Sequence, residues 1–280
     1  MKSKLILGTA QFTGNYGVTN EVQTIFDSDI QAMLSVALHH GISWFDCAQS
    51  YGLVLDRILK ILRNDGTSSV WSGTTKVHLQ SRSAHEMSQI ILMNVKKLSS
   101  LNASLVFIHD IEDFTNQDFA NLKTCLDDFQ LSVSASVYDL RTIEKFHEWN
   151  IRLECIQIPL SILNQAFVPY LESIKMISNQ VWGRSIFLQG VVDLDNPRNP
   201  FLQHPDVKRL RLLESQLKAD LFHISVSFVL NHGLDLVVGF STSDQMRKVI
   251  SYFRSPLPFN DYSIFASFDQ ELVDPRRWKC

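Results

Sequence analysis

The sequence alternates regularly between short β-forming runs and longer segments of helical periodicity, and this alternation constrains the fold more than any other feature. Each run is rich in valine, isoleucine, leucine or aromatic residues, which favours strands. The predicted strands are 4–8, 42–46, 70–76, 104–108, 131–136, 153–158, 181–187 and 235–239. Between them apolar residues recur at spacings of three and four, as in 29–39 and 86–98, which predicts amphipathic helices. The segment 222–230 is rich in β-forming residues, but we predict a helix there because a strand follows closely.

Strands that alternate with helices predict parallel βαβ units, and eight such units close into a (β/α)8 TIM barrel. The chain of 280 residues contains no linker, repeat or low-complexity tract, so we predict one domain spanning residues 1–280. The segment 192–207 holds three prolines and is predicted to be a long loop. Strand 4–8 begins so early that Met1 and Lys2, or a layer of side chains, should close the bottom of the barrel.

Composition and charge exclude several classes of partner. The formal net charge is −3, which provides no electrostatic footprint for nucleic acid. No apolar stretch reaches the length of a membrane span, and the short run 5–7 ends in Gly8 and Thr9, too early for a signal peptide. We therefore predict a cytoplasmic protein with neither a nucleic-acid nor a membrane partner. The sequence does not define the oligomeric state.

The cysteines and histidines form no metal-binding pattern. The four cysteines are scattered without a Cys-x-x-Cys pair, and the nine histidines include no His-Glu-x-x-His sequence. No metal site is predicted, and Cys47 and Cys155 are expected to be buried free thiols. His39 and His40 precede Gly41, where a helix should end and positive charge is favourable.

Polar side chains follow three consecutive predicted strands. Asp46 ends the second strand with Tyr51 on the loop beyond it, Lys76 ends the third, and His109 follows the fourth. Functional residues of a (β/α)8 barrel gather at the C-terminal ends of its strands, so these side chains are expected to face one cavity. A buried carboxylate needs a partner, and Lys76 is the one expected for Asp46. Asp110 is expected to cap the following helix or to be solvated.

Six motifs along the chain resemble, in order, those of the aldo-keto reductase superfamily. They are Leu7-Gly8-Thr9-Ala10, the stretch 41–52, Thr75-Lys76, Ile108-His109, Gln157-Ile158-Pro159 and Gly239-Phe240-Ser241. Each motif is weak alone, and it is their order and their register with eight strands that make the resemblance specific. The early Gly-Thr-Ala-Gln, the Phe-Leu-Gln-Gly at 187–190 and the Asp-Pro-Arg-Arg-Trp at 274–278 resemble a bacterial branch that we associate with surface-polysaccharide and unusual-sugar gene clusters.

The resemblance implies that Asp46, Tyr51, Lys76 and His109 form the catalytic tetrad of the family. Hydride reduction of a carbonyl leaves an alkoxide that needs a proton, and tyrosine, with an ordinary pKa of about 10, is a poor acid at neutral pH. A neighbouring ammonium, here Lys76, favours the phenolate and so makes the proton available, while Asp46 keeps that ammonium charged. His109 would orient the carbonyl or share the proton transfer. The hydride must come from a nicotinamide.

The resemblance also implies a nicotinamide-cofactor site, although it is not of the Rossmann type because no Gly-x-Gly-x-x-Gly sequence opens a helix. The residues expected to bind the cofactor are Gly8, Thr9, Ser136, Gln157, Arg184, Ser185, Phe187, Gly239, Phe240, Ser241, Thr242, Gln245 and Arg247. The chain departs from the family at three positions. Val137 replaces an asparagine that holds the nicotinamide amide, Arg184 stands where an aromatic ring commonly stacks on the nicotinamide, and Val249 replaces an asparagine that contacts adenine. Phe187 is an alternative stacking ring.

NADPH is the expected cofactor, and NAD is the alternative. The segment 239–245 offers small polar residues for the cofactor phosphates at a helix N-terminus. The basic residue that usually grips the 2′-phosphate just after the eighth strand is missing. Arg247 and Lys248 on the next helix could replace it, or could form a solvated face.

The predicted function is NAD(P)H-dependent reduction of an aldehyde or ketone in a small polar, sugar-derived substrate. One alternative is an aldolase or isomerase in which Lys76 forms a Schiff base, and Asp46 argues against it by holding the lysine charged. Another is a barrel that binds a cofactor or a partner protein without catalysis, which the three departures would favour. Phe201, Phe265 and Trp278 are expected either to line the substrate pocket or to be packing residues.

Overall fold

The fold is described from a computed structural model, which covers residues 3–14, 16–19, 24–258 and 261–278. The strands in this part of the chain are β1 (Leu5–Gly8), β2 (Trp44–Asp46), β3 (Ser72–Val77), β4 (Ala103–Ile108), β5 (Ser134–Ser136), β6 (Leu153–Pro159), β7 (Ser178–Arg184) and β8 (Asp235–Gly239). The α-helices described there are α1 (Asp27–His39), α2 (Val54–Asn64), α3 (Ala84–Lys97), α4 (Asn116–Phe129), α5 (Leu140–Glu148), α6 (Leu171–Ile177), α7 (Pro205–Leu217), α8 (Leu221–Asn231), α9 (Ser243–Arg254) and α10 (Gln270–Val273). Met1 and Lys2, which the sequence predicts to help close the barrel, lie outside the described residues.

The eight strands form a closed barrel in chain order, β1 to β8. Neighbouring strands pair in parallel, with Leu5 of β1 opposite Leu236 of β8 and Thr75 of β3 opposite Val106 of β4. At least one helix follows each strand, so the chain returns to the same end of the sheet before each new strand. The predicted (β/α)8 barrel is confirmed, whereas the prediction of a single domain stays a prediction.

The observed strands overlap all eight predicted ones, and the differences lie at their ends. β2 begins at Trp44 rather than at residue 42, and β5 begins at Ser134 rather than at 131. The largest difference is β7, which ends at Arg184 where the sequence predicts a strand to 187. Ser185 has a φ of 57°, in the left-handed region, so the extended backbone stops at Arg184.

The observed bounds of α7 and α8 test two predictions made from the sequence. The β-rich segment 222–230 is helical, as predicted, and α8 begins after Asp220, whose side chain accepts a hydrogen bond from the amide of Phe222. α7 begins at Pro205, because proline is favoured at the first position of a helix, so the predicted loop 192–207 ends at His204. None of the helices in the ranges covered is long and apolar enough to cross a membrane.

The chain divides into two compact units. The first unit comprises 1–42, 159–166 and 183–280, and the second comprises 43–158 and 167–182. In the second unit, Trp182 contacts the rings of Trp44 and Phe107, with centroids 5.6 Å apart in each pair. Gly73 lies opposite Phe45, and a Cβ at Gly73 would lie 2.3 Å from the Phe45 ring, so the ring can pack only against a glycine.

In the first unit, α8 explains why β-forming residues are found in a helix. Val226 and Phe228 are buried, and the serines between the apolar residues do not leave hydroxyl groups unsatisfied. Ser225 donates to the carbonyl of Leu221 four residues earlier, and Ser227 donates in the same way to His223. A helix buried on most of its surface needs apolar residues all round, and this requirement overrides their strand propensity.

Candidate active site

Asp46 is buried at the C-terminal end of β2, and its carboxylate accepts three hydrogen bonds from other strands. Lys76 Nζ lies 2.5 Å from Oδ2, the hydroxyl of Thr74 donates to Oδ1 at 2.8 Å, and Gln157 Nε2 donates to Oδ1 at 2.6 Å. Lys76 is also buried, so the pair is shielded from solvent. The predicted partner of Asp46 is therefore confirmed, and two further donors that the sequence does not reveal hold the same carboxylate.

Tyr51 lies in a short 3-10 turn, Gln49–Tyr51, that begins two residues after the end of β2. Its amide donates to the carbonyl of Ala48, and Gln49 donates to Asn94 on α3 at 3.2 Å, which anchors the turn. Gly52 ends the turn with φ 62° and ψ −124°, a conformation that favours glycine. Tyr51, the tyrosine of the predicted tetrad, is therefore half-buried on a turn whose shape depends on the glycine after it.

His109 follows β4, where its amide donates to the carbonyl of Val77 at 2.8 Å. Its ring packs against the ring of His78, with centroids 5.3 Å apart and the planes tilted by 48°. The side chain of His78 is 58% exposed, so a second imidazole lies beside His109 and faces solvent. No sequence pattern distinguishes His78, which comes two residues after Lys76.

The expectation for Asp110 is wrong. Its side chain does not cap the following turn and is only 8% exposed. The two carboxylate oxygens instead accept the amides of Leu79 and Gln80, at 3.0 and 2.8 Å. These amides lie in the loop after β3, and hydrogen bonds to an ionised carboxylate are stronger than those between neutral groups. Asp110 therefore ties the loop after Lys76 to the loop that carries His109.

Two more carboxylates in the second unit hold neighbouring loops in the same way. Glu112 accepts the amides of Tyr138 and Asp139 after β5, and Asp118 accepts the amide of Ser81 at 2.7 Å. Burial raises the pKa of Asp118, but hydrogen bonds from Thr115 and Ser81 outweigh it and hold the pKa below its ordinary value. The loops after β3, β4 and β5 are thus joined by carboxylate-to-amide bonds, a framework that residue spacing does not predict.

Two candidate cofactor residues of the second unit, and the Val137 that replaces an expected asparagine, lie at the ends of β5 and β6. Ser136 and Gln157 are buried and lie opposite each other in the β5–β6 ladder. Val137, which replaces the expected asparagine, is fully buried, and its amide donates to the carbonyl of Gln157. Gln157 Oε1 is buried and has no hydrogen-bond partner among the described residues.

In the first unit, the chain leaves β7 through an unusual loop. Ser185, Leu188 and Gln189 have φ values of 57°, 46° and 53°, and Gly190 has a φ of 104°. A Cβ at Gly190 would lie 1.9 Å from Thr19 Oγ1, so only glycine allows this close approach. Left-handed residues other than glycine cost roughly 1–3 kcal/mol each and cluster at functional sites.

Arg184 and Phe187 flank the start of that loop. Arg184 ends β7, is 8% exposed, and its Nη1 lies 3.4 Å from the hydroxyl of Ser185. Phe187 packs edge-on against Phe222 in the first turn of α8, with centroids 4.9 Å apart. Thus the guanidinium lies at the strand end, whereas the ring of Phe187 lies against a helix.

The end of β8 and the segment after it contain five candidate cofactor positions of the first unit, from Gly239 to Gln245. Thr242 caps α9 by accepting the amide of Gln245, and Gln245 Oε1 in turn accepts the amide of Ser241 at 2.9 Å. A Cβ at Gly239 would overlap the side-chain amide of Gln11, so glycine is required beneath that side chain. Phe240 is buried. The other two positions, Gly8 and Thr9, end β1 or follow it, and both are buried.

Both basic residues proposed for the 2′-phosphate lie in ion pairs. Arg247 Nη1 is 3.0 Å from Asp244, and Lys248 Nζ is 2.7 Å from Asp220. The hydrogen bond that Lys248 donates to Asp220 raises the pKa of Lys248 above its ordinary value. Val249 is buried and so packs in the interior. A 2′-phosphate at either cation would compete with a carboxylate already present.

The aromatic residues considered for the substrate pocket make intramolecular contacts. Phe201 packs against Trp278, with ring centroids 4.9 Å apart, and Trp278 Nε1 donates to the carbonyl of Glu271. Phe265 is fully buried and contacts the ring of Tyr262. The C-terminal segment 274–278 therefore folds back onto the loop that contains Phe201.

The free cysteines described by the structure are Cys47, Cys125 and Cys155, and all three are buried, as predicted for Cys47 and Cys155. Burial, followed by the charge of Asp128, raises the pKa of the Cys125 thiol to about 11. In the part of the chain that the structure covers, no group of three or more histidine, cysteine or acidic side chains could hold a metal ion.

A buried carboxylate–lysine pair and a histidine lie at the C-terminal ends of successive strands of the closed (β/α)8 barrel, where barrel enzymes have their active sites. A model of the Aldo/keto reductase family matches residues 4–270, and the chain belongs to this family. The predicted enzyme class, an oxidoreductase that acts on carbonyl groups, is thereby confirmed, and the family uses NADPH. None of the curated proteins matches the chain in sequence.

Solved structures of the family share the fold of this chain. A silkworm (Bombyx mori) aldo-keto reductase in complex with NADP is 17% identical, with a TM-score of 0.67 over 98% of this chain and 92% of that one. A glycerol dehydrogenase from Gluconobacter oxydans is 16% identical, with a TM-score of 0.62 over 91% and 93% of the two chains. At this identity the likeness concerns the fold alone.

Proposed function

We propose that the protein reduces the carbonyl group of a small polar aldehyde or ketone, with NADPH as the hydride donor and Tyr51 as the proton donor. The observation that carries this proposal is the buried ion pair of Asp46 and Lys76, 2.5 Å apart at the ends of β2 and β3. A buried ion pair of this kind is costly for stability, which favours a functional reason for its presence.

The residues of the second unit have distinct roles in this proposal. Lys76, held by Asp46, provides a fixed positive charge that stabilises negative charge on the phenol of Tyr51 as the proton leaves. His109 precedes Asp110, whose carboxylate accepts the amide of Leu79 and so fixes the loop that carries His109. His109 donates to the carbonyl oxygen and orients it. When bound, the cofactor supplies a hydride to the carbonyl carbon. The proton of Tyr51 goes to the oxygen, so that the carbonyl becomes an alcohol.

The first unit offers a donor set that suits the phosphates of a dinucleotide. The left-handed residues between Ser185 and Gly190 turn the backbone as anion-binding nests do, and the capped N-terminus of α9 is a second favourable position for negative charge. We propose that these segments bind the phosphates, and that the planar guanidinium of Arg184 takes the place of an aromatic ring against the nicotinamide. The silkworm relative in complex with NADP supports the choice of cofactor.

The position of His78 favours a polar substrate. Its exposed imidazole lies beside His109 and offers a hydrogen-bonding group to a hydroxylated or charged carbonyl compound. The motifs at 187–190 and 274–278 support, by resemblance alone, a sugar-derived substrate of the bacterial polysaccharide branch. A Schiff-base role for Lys76 is disfavoured, because such a lysine must be neutral and Lys76 lies against a buried carboxylate.

Titration of the protein with NADPH and with NADH, followed by quenching of its five tryptophans, tests cofactor binding. Turnover is then measured with a panel of hydroxylated aldehydes and ketones, for the wild type and for Tyr51→Phe. We expect Tyr51→Phe to bind NADPH as the wild type does and to lose roughly 10²- to 10⁴-fold in turnover, the usual contribution of a general acid. Unchanged turnover in this variant would identify another proton donor, and no binding of either nicotinamide would overturn the proposal.

A further inference from the structure

We infer that Gln157 is a positioning residue for Asp46: its side-chain NH2 group holds the carboxylate in place from across the barrel. This inference rests on the proposed function, and it assigns the NH2 group of Gln157 a role in addition to the cofactor contact that the family resemblance implies. Its basis is the 2.6 Å hydrogen bond from Gln157 Nε2 to Asp46 Oδ1 between two buried side chains.

The topology makes this contact a bridge across the barrel interior. Gln157 lies near the end of β6 and Asp46 at the end of β2, and three strands separate β2 from β6 in the order of the barrel. The side chain therefore reaches across the interior of the second unit. A glutamine that only filled space would be replaced there by an apolar side chain, because a buried amide without partners is costly.

The chemistry of the contact determines which way the amide points. An ionised carboxylate only accepts hydrogen bonds, so the group 2.6 Å from Asp46 Oδ1 must be the NH2 and not the carbonyl oxygen of Gln157. The amide donor is therefore committed to Asp46. The carbonyl oxygen is buried from solvent and has no partner among the described residues, so it is not displayed on an open surface.

Thr74 completes the arrangement. Its hydroxyl accepts the amide of Cys47 at 3.3 Å and donates to Asp46 Oδ1 at 2.8 Å, so the direction of the hydroxyl proton is fixed. Oδ1 thus receives two donors and Oδ2 is left for Lys76. With both oxygens assigned, the carboxylate cannot rotate, and the Lys76 ammonium is held at one position beside the proposed acid.

Three variants test the role of Gln157. Gln157→Met keeps the length of the side chain and removes the donor, Thr74→Val removes the second donor, and Thr74→Ser restores a hydroxyl. We expect Gln157→Met and Thr74→Val each to lower kcat roughly 10- to 100-fold, as expected for the loss of one hydrogen bond to a charged group. In Thr74→Val, KM for the carbonyl and Kd for NADPH should change less than about twofold, and Thr74→Ser should recover most of the lost kcat. Gln117→Met, an exposed change on α4, is the matched control.

The opposite pattern overturns the inference. If Gln157 acts on the nicotinamide alone, Gln157→Met will weaken NADPH binding about tenfold or more, while kcat at saturating NADPH stays unchanged in both Gln157→Met and Thr74→Val. A wild-type protein without carbonyl reduction would refute the proposed function. An active wild type with kcat unchanged in Gln157→Met would refute the positioning role alone.

A double-mutant cycle gives a readout that does not depend on activity. Urea unfolding of Gln157→Met, Asp46→Ala and the double variant measures the coupling between the two side chains, because alanine removes the oxygen that accepts the hydrogen bond. Additive losses of stability, with no coupling between positions 46 and 157, would overturn the contact itself.

Discussion

Asp46→Asn is the substitution that most sharply tests the buried ion pair. Asparagine has the shape of aspartate, and its carbonyl oxygen can still accept from Thr74 and Gln157. Its NH2 group would then face Lys76 Nζ, where Oδ2 lies 2.5 Å away in the wild type. The variant therefore leaves a buried ammonium opposite a donor, without a counter-ion and without a change of volume.

The magnitude follows from the burial of both partners. The side chains of Lys76 and Asp46 are 4% and 5% exposed, so water cannot replace the lost carboxylate. Breaking a buried pair by removing one partner costs about 3–5 kcal/mol of unfolding free energy. Adding Lys76→Met to Asp46→Asn removes the stranded charge, so the double variant should be more stable than Asp46→Asn alone.

Urea unfolding followed by tryptophan fluorescence measures these changes, and an exposed ion pair provides the control. Lys97 and Asp56 lie 2.8 Å apart with side chains 41% and 53% exposed, and Asp56→Asn should cost less than about 1 kcal/mol. A cost for Asp46→Asn as small as that of the control would refute the argument from burial.

Three other predictions concern packing, pH and thiol chemistry. Gly73→Ala should lower the unfolding free energy by about 1–3 kcal/mol in urea, because its methyl group would overlap the Phe45 ring. Burial raises the pKa of Asp220, but hydrogen bonds from Lys248, Tyr252 and the amide of Phe222 outweigh it and hold the pKa below its ordinary value. The wild type should therefore be more stable than Asp220→Asn, and this advantage should be fully present above the unfolded-state pKa of about 4. It should decline as the pH falls through the lower folded-state pKa. A difference in melting temperature that does not depend on pH would contradict this. The thiol of Cys125, with its pKa raised to about 11, should react with a thiol reagent at neutral pH only after unfolding, as followed by mass spectrometry of its peptide.

The barrel is predictable because its strands are short apolar runs and its helices have a clear period. The segment 222–230 shows how context decides: its residues favour a strand, yet it forms α8 because its buried position needs apolar side chains all round. The end of β7 is not predictable in the same way. Residues 185–187 have strand propensity, and the strand ends at Arg184 because Ser185 adopts a left-handed conformation that propensity does not indicate.

The candidate site is predictable only where two residues have complementary charge at neighbouring strand ends. Asp46 and Lys76 meet this condition, and the structure pairs them. The bond from Gln157 to Asp46 joins residues 111 positions apart and depends on which strands face each other across the barrel. Asp110 resembles a helix cap by local spacing, and only the neighbouring loop supplies the amides that it accepts.

Hydride transfer itself is the most direct test of the proposed function. The measurement is the transfer of deuterium from NADPH labelled at the nicotinamide C4 position to the alcohol formed from an aldehyde, followed by mass spectrometry of the product. We predict that the alcohol made by the wild type carries one deuterium on the former carbonyl carbon and that Tyr51→Phe forms little of it. An alcohol without deuterium, or equal deuterated product from Tyr51→Phe, would contradict the account.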